Sequence, residues 1–313
     1  MPELPEVTVI VNSLNKKLKG LELSGIEYDW PKKFFWGRFS IKDLRGKKVE
    51  RVRRIGKVIV IEVSKGPKAK ISHLRGVILE EIAVVIHLKL TGQLIYEDKQ
   101  SRIAGGHPIP PLNLPVPNKT TRVTFSFTNG GPTSLKLRGA SHLYFNDLRK
   151  FGWVKIVENK ESEINEAIGA ELGPDPLLMK FEDFRDRLKK RGQKKIKQLL
   201  MDQKFVAGVG NIYSDEGLWW AKVHPKRPAL SLKDPEIKAI FEGVRKSMKL
   251  AIKKGGSSVN SFVGSGGEKG LYLSFAKAYH MTGKPCGRCK TAIVREKMGG
   301  RSAHYCPSCQ KIS

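Results

Sequence analysis

The amino-acid sequence predicts a multidomain α+β protein: a β-sandwich with a flanking N-terminal helix, a helical domain and a small cysteine-containing C-terminal domain. Three observations support this fold class. Short strand patterns follow one another over residues 20–157 with no helix between them, which is typical of a sandwich or barrel. The hydrophobic periodicity becomes helical from Phe181 onward. All four cysteines lie after residue 285, in two Cys-x2-Cys pairs.

Length and charge limit the possible functions. The 313 residues suffice for two domains and a small appendage. Lys and Arg number 58 against 30 Asp and Glu, a net charge of +28, so we expect a polyanionic partner, most simply nucleic acid. A membrane surface is the competing partner, but we find no basic amphipathic helix with aromatic residues on one face. No run approaches about 18 apolar residues. The start does not resemble an export signal, so we expect a cytoplasmic, nucleoid-associated protein if the source is prokaryotic.

The chain begins Met1-Pro2-Glu3-Leu4-Pro5-Glu6. Because Pro2 is small, we expect Met1 to be removed, which leaves a secondary amine on Pro2. Such an amine can attack a sugar aldehyde carbon and form an iminium. A terminal amine titrates near ~8 and a lysine near ~10.4, so the terminus is the more available nucleophile at neutral pH. The alternative interpretation is a frayed tail in front of a helix.

A helix is predicted directly after this start. Pro5 suits its first turn and Glu6 suits its positive end. That positive end would shift the nearby amine further toward its neutral form. Val7, Ile10, Leu14 and Leu18 recur on one face, and Gly20 can end the helix.

Residues 21–63 are predicted to form strands joined by short turns, with residues 58–61 as a buried strand. Arg51, Arg53 and Arg54 precede it and form either a solvated strand face or an approach to phosphates, with Lys57 at the mouth of the site. Further predictions are a strand pair over residues 77–96, a proline-containing loop over 101–118, a strand over 122–127, a turn at 129–131 and more strand to about 157. A histidine such as His87 is more often structural than catalytic.

Residues 158–180 are polar and predict an interdomain linker or hinge. Helices are then predicted over residues 182–191, around 196–200, from Ile212 and from Asp234 to Gly255, followed by a mobile Gly- and Ser-rich loop to about 270. The last of these helices is expected to turn one apolar face inward, with Ile237, Ile240, Phe241, Val244 and Met248. Asn211 is expected to cap the helix that restarts at Ile212. Free N–H groups there, with Lys195 and Lys197 nearby, predict a phosphate site. An ordinary helical hairpin is the alternative, and the net charge favours phosphate binding.

The cysteines are spaced as in a zinc site. Cys286 and Cys289 form one pair and Cys306 and Cys309 the other, with 16 residues between the pairs. Two such turns complete a tetrahedron of thiolates around one structural Zn²⁺ with no open position, as in a zinc ribbon. Metal binding supplies on the order of 10 kcal/mol, which so small a module needs. Two disulfides in an exported protein are the alternative.

A third pattern is Arg149-Lys150-Phe151. A cation followed two residues later by an aromatic side chain can enter a duplex. The Phe ring then wedges a base step, and the Arg pairs with the orphaned base. Taken alone, Phe151 is more typical of a core position.

In combination these residues resemble the motifs of formamidopyrimidine-DNA glycosylases, the Fpg branch of the Fpg/Nei family of base-excision repair enzymes. The resemblance covers nearly the whole chain. Its motifs are Pro2-Glu3-Leu4-Pro5-Glu6, Arg54-x-Gly56-Lys57, His87-Leu88 with Gly92, Asn146-Asp147 with Arg149-Lys150-Phe151-Gly152, Leu172-Gly173-Pro174, Ile196-Lys197 with Gly208-Val209-Gly210-Asn211-Ile212-Tyr213, Gly300-Arg301 and Cys309-Gln310.

The resemblance implies a catalytic β-sandwich, a helix–two-turn–helix domain and a zinc finger, with DNA in the cleft between. We therefore expect a catalytic domain over residues 1–157, a linker over 158–180, the helical DNA-binding domain over 181–280 with a lesion-capping loop at 255–270, and the zinc finger over 281–313. The partner is expected to be double-stranded DNA that contains oxidised bases or abasic sites. The chain is expected to act as a monomer.

The resemblance also implies a role for each site residue. A damaged base is flipped out of the duplex. Pro2 then attacks C1′ and displaces the base, Glu3 manages protons, Lys57 serves β-elimination and Arg301 serves δ-elimination. The residues expected to contact DNA are Leu90, Thr120, Arg149, Phe151, Lys197 and Asn211.

The chain departs from the family pattern at several positions. Leu90 replaces the family's wedge methionine, Lys89 a glycine, Thr120 a DNA-contacting histidine and Ala303 a threonine, and segments 64–82 and 97–118 are longer. We expect these changes to affect base preference more than chemistry. The expected activity is a bifunctional glycosylase and abasic-site lyase for oxidised purines, which Leu4 favours. The alternatives are an endonuclease VIII-type enzyme for oxidised pyrimidines and a non-catalytic, zinc-dependent lesion-binding protein.

Overall fold

The computed structural model describes residues 1–65, 81–129, 140–169, 171–257 and 270–312. The chain divides into two compact units. Met1–Pro2 and Glu6–Ala170 belong to the first, whereas Glu3–Pro5, Glu171–Ser257 and Leu271–Ser313 belong to the second. Among the described residues, no helix has both the length and the apolar character needed to cross a membrane.

The first unit contains one ten-stranded, mostly antiparallel sheet. Its strands are β1 (Glu22–Tyr28), β2 (Phe34–Phe35), β3 (Lys47–Ile55), β4 (Val58–Lys65), β5 (Ile82–His87), β6 (Gly92–Glu97), β7 (Arg102–Gly106), β8 (Thr121–Thr128), β9 (Ser141–Asp147) and β10 (Trp153–Glu158). Their order is β2-β10-β5-β4-β3-β1-β8-β9-β6-β7. Three helices accompany the sheet within the described residues: α1 (Leu4–Leu18), α2 (Ile41–Leu44) and α3 (Glu161–Ile168).

The two halves of this sheet share a single apolar core, so the sheet folds over on itself. Alternate residues of β8 point into this core, as their period of two requires. The core combines side chains from both halves and from α1, including Val7, Leu14, Val52, Ile61, Val84, Phe125, Phe145 and Ile156. The predicted β-sandwich with its flanking helix is therefore confirmed. Gly20 follows that helix with φ of +86°.

Two predictions within the sandwich are wrong in detail. β5 pairs with β4 and β10 while β6 pairs with β7 and β9, so the predicted strand pair over 77–96 is two strands in different halves of the sheet. The predicted loop over 101–118 contains β7. The strand includes Gly105 and Gly106. Position 106 has no room for a side chain, because a Cβ there would lie 2.3 Å from the carbonyl oxygen of Gly92. The predicted turn residues Gly130 and Gly131 lie outside the described residues.

The predicted linker over residues 158–180 includes the helix α3. Its buried Ile164 packs against the outer face of the sheet, with Val58, Val60, Val85 and Trp153. This cover explains why β4 and β5 are apolar on both faces, as strands buried on both sides are.

The second unit is built from four α-helices and two short 3-10 helices, Ala229–Ser231 and Tyr272–Phe275, among its described residues, followed by a two-stranded ribbon. The α-helices and strands are α4 (Phe181–Lys189), α5 (Ile196–Met201), α6 (Asn211–Ala221), α7 (Asp234–Lys253), β11 (Val294–Met298) and β12 (Arg301–Tyr305). The predicted inward face of α7 is confirmed, since Ile237, Ile240, Phe241, Val244 and Met248 are all buried. The ribbon is antiparallel and pairs Val294 with Tyr305.

The cap of α6 differs from the prediction. Gly210 occupies the N-cap position, and Asn211 is the first helical residue. Most of the predicted lesion-capping loop at 255–270 lies outside the described residues.

Candidate functional site

The carboxylate of Glu3 lies at the N-terminus of α6. It accepts hydrogen bonds from the backbone N–H groups of Gly210 at 2.8 Å, Ile212 at 2.9 Å and Tyr213 at 3.4 Å. Glu3 is only 3% exposed. Unpaired N–H groups and the helix dipole make a helix start a favourable place for a negative charge. The helix therefore fixes the position of this carboxylate.

Two glycines make this close approach possible. A Cβ at Gly210 would lie 2.4 Å from Cδ of Glu3. Gly208 has φ of +97°, and a Cβ there would lie 2.5 Å from Cβ of Leu4. The Leu4 N–H also donates to the Gly208 carbonyl at 3.0 Å. The Gly208-Val209-Gly210 turn is thus shaped around Glu3 and Leu4.

The predicted free N–H groups at this helix start are not free. Three of them donate to Glu3, so an intramolecular carboxylate takes the place of the predicted phosphate. The Gly208-Val209-Gly210 turn would have the same sequence with either acceptor, a phosphate or the Glu3 carboxylate. The acceptor was therefore not predictable from the turn itself.

Lys197 is buried inside the second unit. Its ammonium group forms an ion pair with Asp215 on α6 and donates to the carbonyl of Ser302 at 2.8 Å. Burial lowers the pKa of Lys197, while the nearby Asp215 carboxylate opposes this shift. The other Asp215 oxygen accepts from the backbone N–H of His304 at 3.1 Å. Asp215, which the sequence analysis did not single out, therefore ties α5 and α6 to the ribbon.

Asn211 stands at the first position of α6. Its amide oxygen Oδ1 is buried and has no hydrogen-bond partner within the described ranges. Such a group is normally satisfied by a ligand or water. Burial raises the pKa of the neighbouring Tyr279, and a hydrogen bond with Asn211 opposes that rise.

Within the first unit, Lys57 lies in the turn between β3 and β4, directly after Gly56 with φ of +55°. Both Lys57 and Pro2 are buried. The nearby His87 ring accepts the Lys89 N–H at Nδ1, at 2.9 Å. Burial, followed by the charges of Lys89 and Lys57, lowers the pKa of His87 to about 3. The His87 ring is therefore neutral at pH 7 and acts as the acceptor for the Lys89 N–H.

Asp147 holds two turns together in the first unit. Its Oδ1 atom accepts from the Thr91 hydroxyl at 2.5 Å and from the Arg149 N–H at 3.2 Å. Its Oδ2 atom accepts from Gly152 at 2.7 Å. Thr91 follows Leu90, and residues 149–152 contain the predicted wedge. One buried carboxylate thus fixes both segments.

The wedge candidate Phe151 is 45% exposed, and the Arg149 guanidinium carbon lies 4.9 Å from its ring centroid. An exposed Phe stacked under an exposed Arg is not a core residue. Leu90 is half-buried. Thr120 is buried, and its hydroxyl donates to Oδ1 of Asn118 at 2.7 Å. The structure therefore presents Phe151 and Arg149 to solvent and turns the Thr120 hydroxyl inward.

The four cysteines come together in the second unit. The sulfur atoms of Cys286, Cys289, Cys306 and Cys309 all lie within 4.8 Å of one another. Four thiolates at Zn–S distances of about 2.3 Å would be spaced about 3.8 Å apart, so these residues fit one tetrahedral Zn²⁺. The Cys309 N–H donates to the sulfur of Cys306 at 3.4 Å. The cluster can hold one structural zinc ion. Arg301 is exposed at the start of β12.

Comparison with known proteins covers the whole chain. Residues 1–154 match the formamidopyrimidine-DNA glycosylase N-terminal domain, residues 172–263 its H2TH domain, and residues 283–312 a zinc finger found in FPG and IleRS. The formamidopyrimidine-DNA glycosylase of Pelotomaculum thermopropionicum is 34% identical over 315 residues, covering 100% of both chains.

Solved structures are similar over the same extent. Wild-type Lactococcus lactis Fpg (MutM) in complex with DNA containing N7-benzyl-Fapy-dG has a TM-score of 0.78 and 29% identity. MutM in complex with DNA containing carbocyclic 8-oxo-G has a TM-score of 0.77 and 29% identity. Each comparison covers 99% of this chain and 100% of the other.

Proposed function

The chain belongs to the formamidopyrimidine-DNA glycosylase family, and we propose that it is a bifunctional DNA glycosylase and abasic-site lyase of base-excision repair. Its proposed substrates are oxidised purines in duplex DNA, with 8-oxoguanine and formamidopyrimidines first. The similar solved structures that contain 8-oxo-G or a Fapy-dG derivative support this choice. The net charge of +28 supports a DNA partner.

The observation that carries this proposal is the position of Glu3. Its buried carboxylate is held by three N–H groups at the start of α6, and Pro2 is the residue directly before it. A nucleophile needs an oriented acid–base group within reach. Glu3 supplies such a group next to the amine that Pro2 would carry after removal of Met1.

The proposed reaction starts after the damaged base is flipped out of the duplex. The Pro2 amine attacks C1′ of the sugar, and the base leaves. Glu3 moves protons as the sugar ring opens, and a Schiff base forms between Pro2 and the sugar. This iminium acts as an electron sink, so β-elimination and then δ-elimination cut the strand.

The remaining site residues have supporting roles in this proposal. Lys57 donates a proton in β-elimination, and the exposed Arg301 holds phosphate and serves δ-elimination. Arg149, Phe151 and Leu90 fill the space that the flipped base leaves. Lys197, Asn211 and Thr120 are assigned to the DNA backbone. For Lys197 and Thr120 this contact would require new partners, because the Lys197 ammonium and the Thr120 hydroxyl are already hydrogen-bonded inside the protein.

The four cysteines bind one Zn²⁺, whose role is to hold the ribbon in shape. We further propose that the enzyme acts as a monomer on chromosomal DNA, in the nucleoid.

Trapping of a covalent intermediate tests the proposal. Borohydride should reduce the Schiff base and leave a stable protein–DNA adduct on a duplex with an abasic site. Pro2→Gly replaces the secondary amine with a primary one and should greatly reduce the adduct. Pro5→Gly is the matched control, since it changes a proline of the same segment and leaves the proposed amine in place. Full lyase activity in Pro2→Gly would show that another amine is the nucleophile.

Cleavage, trapping and binding on two duplexes, one with 8-oxoguanine and one with thymine glycol, separate the alternative functions. Preference for 8-oxoguanine over thymine glycol supports the oxidised-purine assignment, and the reverse preference indicates an enzyme of the endonuclease VIII type. Tight binding of both duplexes without cleavage or adduct would indicate a lesion-binding protein. Mass spectrometry of the active protein should also show that Met1 is absent.

A further inference from the structure

Trp219 of α6 packs directly against the four-cysteine cluster. It is 3% exposed and shares one packed group of buried side chains with Ala278, Cys286, Ile293 and Cys306. The Arg288 guanidinium carbon lies 3.9 Å from the Trp219 ring centroid, and the same guanidinium donates to the Trp219 carbonyl. Contacts on several sides therefore fix the orientation of this indole.

The indole N–H of Trp219 has no ordinary partner. Its Nε1 atom is buried and makes no hydrogen bond that meets normal geometry in the part of the chain that the structure describes. A buried donor without a partner costs about 1–3 kcal/mol, and native proteins contain few of them. An unpaired indole N–H beside a metal-binding cluster therefore indicates an acceptor that is complete only when metal is bound.

The acceptors beside the indole are the sulfur atoms of Cys286 and Cys306, the two buried cysteines that share its packed group. A neutral thiol is a weak acceptor. A thiolate is a much stronger one, because hydrogen bonds to ionised groups are shorter and about twice as strong.

We propose that Trp219 is a positioning residue of the zinc site, whose indole N–H donates a hydrogen bond to the thiolate of Cys286 or Cys306 when zinc is bound. Trp219 does not ligate the metal. It stabilises one ligand in its charged form and holds that ligand's sulfur in place. The neighbouring Trp220 lies edge-on to Trp219, with ring centroids 5.0 Å apart, and the Lys246 ammonium lies over its ring at 3.6 Å. Trp220 is therefore the natural control.

The first experiment measures zinc affinity by competition with a chromogenic chelator, using the full-length protein. Trp219→Phe should weaken zinc binding about 10-fold, the lower end of the loss seen when a group supporting a metal ligand is removed. Trp220→Phe should bind zinc like the wild type. Equal affinity in Trp219→Phe and the wild type would overturn the proposal.

A second variant separates the hydrogen bond from packing, because Phe also fills less space than Trp. Position 219 is replaced by a tryptophan analogue in which sulfur takes the place of the indole N–H. This analogue keeps the ring's shape but cannot donate. A similar 10-fold loss of zinc affinity supports the hydrogen bond, whereas wild-type affinity would show that Trp219 acts only by filling space.

Discussion

The side-chain carboxylate of Glu3 accepts a hydrogen bond from the backbone N–H of Gly210 at 2.8 Å, across 207 residues of sequence. This contact joins the start of the chain to the start of α6. Because the carboxylate is buried, its charge is stabilised by N–H groups rather than by water. The contact therefore fixes the position of Glu3, the residue that directly follows Pro2.

We expect Gly210→Ala to disable the enzyme by displacing Glu3. The new Cβ would lie 2.4 Å from Cδ of Glu3, closer than side-chain atoms can approach. Overpacking of this kind costs about 1–3 kcal/mol of stability. Displacement of a catalytic group by about 1 Å can reduce the rate by a factor of ~10². Single-turnover excision of 8-oxoguanine and thermal melting measure the two effects.

Gly287→Ala is the control for this prediction, because a Cβ at Gly287 has no atom within 4 Å. It should retain normal excision and melting. A Gly210→Ala protein with wild-type excision would mean that the position of Glu3 is not important for the reaction.

Phe151→Ala should reduce base excision without reducing stability. Phe151 is 45% exposed, so its truncation removes little buried apolar area, and the unfolding free energy should change by at most about 0.5 kcal/mol. Loss of a wedge makes it harder to open the base stack, so excision from duplex DNA should slow by at least about 10-fold.

Phe35→Ala is the matched control for the wedge. Phe35 is 42% exposed, and the ammonium group of Lys155 lies 5.7 Å from its ring centroid, which resembles the pairing of Phe151 with Arg149. If both variants lose excision equally, the effect of Phe151 is not specific.

The first unit should lose stability as the pH falls below about 6.5, partly because of His87. Burial lowers the pKa of His87 from 6.5 to about 3 in the folded chain. Below pH 6.5 the unfolded chain therefore binds a proton that the folded chain does not. One such proton reduces the unfolding free energy by up to ~1.4 kcal/mol per pH unit, over the window from pH 6.5 toward pH 3.

His87→Gln removes the titrating group and keeps an acceptor for the Lys89 N–H. Urea unfolding at several pH values should give a shallower slope below pH 6.5 for this variant, and parallel curves above pH 7. An unchanged slope would show that His87 already binds its proton in the folded protein.

Removal of zinc should abolish DNA binding while the sandwich remains folded. The ribbon β11–β12 has little apolar core of its own, and metal binding to such modules contributes on the order of 10 kcal/mol. Urea unfolding of the sandwich should be unchanged in chelator-treated protein, and the DNA dissociation constant should rise strongly. Cys289→Ser removes one ligand and should behave in the same way. Unchanged DNA affinity in metal-free protein would exclude a role for the finger.

Features with a local pattern could be predicted from the sequence. The spacing of the four cysteines was enough to predict a single metal site, because each Cys-x2-Cys turn brings its two sulfur atoms together. The apolar periodicity over Val7–Leu18 and over Ile237–Met248 was enough to predict two helices and their buried faces. The placement of β5 and β6 in different halves of the sheet was not predictable, because neighbours along the chain often pair.

By itself, the sequence determined the family and the metal site and predicted the reactive residues, because these depend on residue types at short spacings. Only the tertiary structure decided which groups are partners. Glu3 rather than a phosphate takes the N–H groups of α6, and Lys197 pairs with Asp215 rather than facing solvent. The physical reason is that a buried charge must find its counterpart wherever packing places one, and local sequence does not specify that location.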